Sequence, residues 1–133
     1  MSGNFEGIKQ QKYGVEVECT GLTREAAAKA ISKVLGGLPE HFGDSYNKYN
    51  VRDRKDRKWL IVYDSSIRCV DKSGCSASRN YAVELVTPVL EYEDMPLLQE
   101  VVRALRKSGG VTGAEYRQEF MCVLTAILMT HEH

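Results

Sequence analysis

Glu16 and Glu18 stand two apart in Lys12-Tyr13-Gly14-Val15-Glu16-Val17-Glu18-Cys19, a stretch that alternates between apolar and polar residues. Read as a strand, it sends Val15, Val17 and Cys19 to one face and both glutamates to the other. Carboxylates at that spacing lie roughly 6–7 Å apart. They can share one divalent cation, or hold two cations beside a phosphate. The competing reading is the wet face of an ordinary antiparallel strand. A third carboxylate, Glu84, lies inside Tyr81-Ala82-Val83-Glu84-Leu85-Val86, which is apolar on both sides of it. A carboxylate in that position is costly unless it is paired, protonated or metal-bound, so Glu84 needs either a cation or a structural arginine. Asp64 follows the strand-like run Trp59-Leu60-Ile61-Val62-Tyr63. It can close a turn on its own backbone or display its carboxylate at a strand end.

These residues need a scaffold, and 133 residues suffice for one domain with a modest core. A hydrophobic share of 43% is in the globular range. Lys plus Arg and Asp plus Glu number 18 each, so no net field draws in nucleic acid or acidic lipid, and neither is expected as a partner. The run Arg52-Asp53-Arg54-Lys55-Asp56-Arg57-Lys58 is broken by two aspartates and reads as a solvated hairpin connection. No stretch is long and apolar enough to span a bilayer, and the start carries no apolar signal segment. Cys19, Cys69, Cys75 and Cys122 form no metal motif with the three histidines. A cytoplasmic setting with reduced thiols is expected, with Cys19 packing as a small apolar residue.

The scaffold reads as strand, helix, three strands, helix. Thr23 caps an alanine-rich helix to Leu35, with Ala27, Ala30, Ile31, Val34 and Leu35 as its apolar stripe and Gly36-Gly37 as its stop. Tyr46, Tyr49 and Val51 suggest a strand that pairs through the charged turn with Trp59–Tyr63. Residues Val70 to Asn80 read as a flexible loop. The Glu84 strand closes at Pro88, and a second helix runs from Asp94 to Lys107, with Leu97, Leu98, Val101, Leu105 and the stem of Arg106 on one side. This order predicts an α+β domain, a largely antiparallel sheet with both helices on one face.

Taken in order, Tyr13-Gly14-Val15-Glu16-Val17-Glu18, Thr20-Gly21-Leu22-Thr23, Trp59–Ile67, Val83-Glu84-Leu85-Val86-Thr87-Pro88-Val89-Leu90 and Leu98–Arg106 resemble the N-terminal part of the amidoligases. That family is similar to the carboxylate–amine ligases that include glutamine synthetase and glutamate–cysteine ligase. The resemblance covers roughly residues 12–110. It implies a glutamine synthetase-like sheet that holds ATP and Mg2+ on one face, with Glu16, Glu18 and Glu84 as ligands to the cations. It also implies that Asp64 faces the substrate or its amine, and that Asp64 and Glu84 serve the catalysis. The implied reaction is amide formation: ATP activates a carboxylate as an acyl phosphate, and an amine displaces phosphate. The implied partners are small-molecule or peptide amines and carboxylates.

The family continues with a strand bearing Gly-Ile-His-x-His, where this chain reads Val111 to Cys122 and then ends at His133. Codons for Gln118–Cys122 read two bases later can spell Gly-Ile-His-Val. Residues 111–133 are therefore expected to be an out-of-frame tail, residues 1–11 a frayed terminus, and the chain by itself a poor or inactive ligase. Two other readings stay open: an authentic apolar segment, Phe120–Met129, packed as a strand or helix, and a non-catalytic remnant or small α+β binding module.

Overall fold

The computed structural model describes residues 12–43, 47–109 and the backbone of 123–129. β1 (Lys12–Cys19) leads into α1 (Arg24–Leu35), followed by β2 (Glu40–His41), β3 (Tyr49–Arg52), β4 (Lys58–Val62), β5 (Val83–Val86), α2 (Met95–Ser108) and β6 (Val123–Met129). Single 3-10 turns at Arg79–Tyr81 and Tyr92–Asp94 precede β5 and α2. The strands form one sheet in the order β2-β3-β4-β5-β1-β6, and each pairing is antiparallel. The expected α+β class is what the structure has.

Alternation divides the sheet. Tyr13, Val15, Val17 and Cys19 of β1 join Val51, Trp59, Ile61, Val83 and Leu85 in the core. Leu22, Ala27, Ala28, Ile31 and Leu35 from the α1 side, and Leu98, Val101 and Leu105 from α2, complete the same cluster, so both helices cover this one face. The other face is left with Glu16, Glu18, Asn50, Leu60, Val62, Glu84 and Val86. The Thr23 hydroxyl accepts from the Ala26 amide and caps α1 as the sequence indicated. Gly36 ends the helix at φ +100°, in the left-handed region that glycine tolerates.

Several expectations change. The run 53–57 is not merely solvated, because it wraps the buried Asp53. Asp53 accepts from the Trp59 indole at 2.8 Å, from the amides of Lys55 and Arg57, and from the Arg57 guanidinium. Arg57 in turn makes two bonds to Asp94, at 3.0 and 3.1 Å. Asp94 stands at the N-cap position of α2, but its carboxylate makes no cap bond there and instead holds Arg57 and the Glu91 amide. Within Val70–Asn80, residues Val70–Ser76 form a small built hairpin, closed by a Val70–Ser76 bridge and by Asp71, which accepts from Ser73 and Cys75. Tyr81 belongs to a 3-10 turn rather than to β5, and Tyr63 follows the end of β4. Arg106 is exposed, so its stem is not part of the buried stripe. Cys19 is buried but disulfide-bonded, so it is not the free thiol expected.

In the tail, Val123–Met129 is a strand paired along β1 from Glu18↔Val123 to Lys12↔Met129. Residues 1–11, Tyr46, and 110–122 with 130–133 of the tail lie outside the described residues.

Candidate functional site

The face opposite the two helices, helix-free among the described residues, carries a concentrated set of carboxylates. Register places Glu18 of β1 directly opposite Glu84 of β5, with Glu16 opposite Val86. On the other side of β5, Val62 pairs with Glu84, and Asp64 comes two residues later on the same side of the chain. Two like charges opposite one another weaken a strand pair, so this register is held by other contacts. The Val15 amide donates to the Thr87 hydroxyl while the Thr87 amide donates to the Val15 carbonyl. Tyr13 and Leu90 exchange backbone bonds of 2.9 and 2.8 Å further along. Arg24, 1% exposed, donates to the carbonyls of Arg79 and Ala82 at 2.8 Å and so fixes the approach to β5. Thr20 and the Gly21 amide hold Val70 at the end of β1.

One oxygen each from Glu18, Asp64 and Glu84 lies within 4.8 Å of the others, close enough to surround a single cation. All three residues are half-buried. Glu16 adds its charge beside Glu84, as Asp64 does beside Glu18. Burial, then the charges of Glu16 and Asp64, push the Glu84 carboxyl up to about 7. Burial and Asp64 raise that of Glu18. Among the described residues no lysine or arginine forms an ion pair with any of these four groups. The structural-arginine alternative for Glu84 therefore has no support there. Asp64 does both things its position suggested, since it closes a turn by accepting from the Ser66 amide and hydroxyl and also joins the cluster.

The sequence reading grouped Glu16, Glu18 and Glu84 as ligands and set Asp64 apart. The geometry brings all four together, with Asp64 inside the tightest triplet and Glu16 beside it. Only the pairing of β4 with β5, a long-range contact, reveals this.

A family model described as "Putative amidoligase enzyme" matches residues 9–116, about four-fifths of the chain. The chain belongs to the amidoligase family. The four carboxylates all fall inside the matched span, which ends within the segment where the sequence departs from the family pattern. No curated protein matches the chain. Membership points to amide-bond ligation as the chemistry of the lineage. Among the described residues no helix is long and apolar enough to cross a membrane.

Proposed function

We propose that this amidoligase-family domain binds ATP with Mg2+ on its helix-free sheet face and serves ATP-dependent ligation of a carboxylate to an amine. The observation that carries the reading is a half-buried group of four carboxylates without a cationic partner among the described residues, Glu16, Glu18, Asp64 and Glu84. Such a donor set suits a hard divalent cation. The raised Glu84 points the same way, because burial and neighbouring carboxylates disfavour its charge where a cation would favour it. Bound Mg2+ would neutralise phosphate oxygens and orient them for transfer.

The chain's own residues supply the rest. Glu18, Asp64 and Glu84 would hold the cation, and Glu16 would pair with Glu84 or hold a second one. Asp64, fixed by Ser66, lies at the strand end where an acceptor amine would approach. Leu60, Val62 and Val86 give a half-buried apolar floor beside the carboxylates. The substrates proposed are a small-molecule or peptide carboxylate and amine. The test is ADP release measured across a panel of amino acids and peptides, with mass detection of the amide. ADP that forms only when carboxylate and amine are both present supports ligation. Bound MgATP with no turnover on any pair would favour the binding-module reading.

A further inference from the structure

Asn50 of β3 is 2% exposed, and its Oδ1 is a buried side-chain polar atom without a hydrogen-bond partner among the described residues. Alternation with Tyr49 and Val51, which lie on the core side, puts Asn50 on the carboxylate face. Its cross-strand neighbours are Glu40 and Leu60. Leu60 in turn pairs with Val86, and Val86 with Glu16. One row thus crosses four strands, from an unpaired amide over two apolar side chains to the carboxylates. At strand spacing, Asn50 stands about 12 Å from Glu84 and about 14 Å from Glu16.

An unpaired buried amide oxygen is costly, and a ligand that donates to it would offset that cost. The distance to the carboxylates matches an extended nucleoside triphosphate, measured from its base to its β and γ phosphates. Asparagine is suited to adenine: its oxygen accepts from the exocyclic amine while its NH2 donates to a ring nitrogen. The apolar floor lies where a ribose and base edge would rest. Beside Asn50 lies β2, a two-residue exposed strand at the end of the sheet order, paired with β3.

We infer that Asn50 reads the adenine base of the nucleotide whose phosphates meet the carboxylate cluster, at the opposite end of the same row. This rests on the MgATP reading above and adds base selectivity to it. Asn50 is then a specificity residue, and it takes no part in the reaction itself.

The test compares ATP with purine riboside triphosphate, which lacks only the 6-amino group, by calorimetry in the presence of Mg2+. The native chain should bind ATP about five- to tenfold more tightly, the worth of one hydrogen bond to a buried acceptor. Asn50→Leu, of similar volume, should bring that ratio to one by weakening ATP alone. Binding of the deaminated analogue should stay as it was, and the melting temperature should hold or rise because an unpaired amide is removed. Equal binding of the two nucleotides by the native chain, a comparison that needs no variant, would overturn the inference and leave the MgATP reading standing. A ratio kept in Asn50→Leu would do the same. A marked fall in melting temperature in that variant, with the ratio intact, would assign the amide a structural role and also overturn it. Failure of the native chain to bind either nucleotide would sink both this inference and the reading beneath it.

Discussion

Glu84 sits directly across from Glu18 and close to the charge of Glu16, and this arrangement has a pH signature. Its folded value of about 7 exceeds the ordinary 4.5, so the folded chain keeps a proton that the unfolded chain releases. The associated stability is complete at pH 4.5 and below, and it is lost as pH rises to 7. Without metal, the melting temperature should therefore fall between pH 5 and pH 8, by the equivalent of roughly 1–2 kcal/mol after solvent screening. Mg2+ should restore it at pH 8, and Glu84→Gln should remove most of the fall; thermal melts at three pH values check all of this. Asp53 and Asp94 act in the opposite sense. Though burial opposes it, hydrogen bonds from Trp59 and the backbone hold Asp53 below the usual carboxylate range, and Arg57 does the same for Asp94. Their contribution is present above about pH 4 and lost as the solution is acidified further. Asp53→Ala should cost about 3–5 kcal/mol, since it leaves the buried Trp59 indole without its acceptor and Arg57 with Asp94 alone. Denaturant unfolding at pH 7 measures that cost.

At the scale of elements, the first strand, both helices and the tryptophan strand were legible because each is written locally. Alternation marks β1, Thr23 and the two glycines bracket α1, and aromatic and β-branched residues mark β4. What escaped the sequence is long-range. The chain of contacts from Asp53 through Arg57 to Asp94 looks like surface charge until the β3–β4 turn is seen tied to the start of α2. Arg24 looks like an exposed helix residue, yet it is buried against the carbonyls that lead into β5. Arg24→Leu should leave those carbonyls unpaired, lowering stability by about 2–4 kcal/mol and weakening divalent-cation binding through the displaced Glu84. Paired melting and Mn2+ titration read the two effects. The step from α1 to β2 has a similar hidden constraint. A Cβ on Gly37 would collide with the Arg52 carbonyl of β3, so Gly37→Ala should destabilise the β2–β3 side of the sheet, seen as faster amide exchange there.

On the scale of the whole molecule, one face of the sheet is spent on the core, and the other is left to a band of carboxylates beside an apolar floor. The family and the three glutamates could be read from spaced motifs, because each motif lies within one short stretch of chain. That Asp64 completes a triplet with Glu18 and Glu84 could not, since it depends on the order of β4, β5 and β1 across the sheet. Whether this face takes a magnesium nucleotide is the central question. The most direct measurement is calorimetric titration of MgATP into the native chain and into Glu84→Gln at pH 8. Saturable binding by the native chain, weakened at least tenfold in a variant that melts no lower, is the predicted result. No binding to the native chain, or equal binding to both, would contradict it.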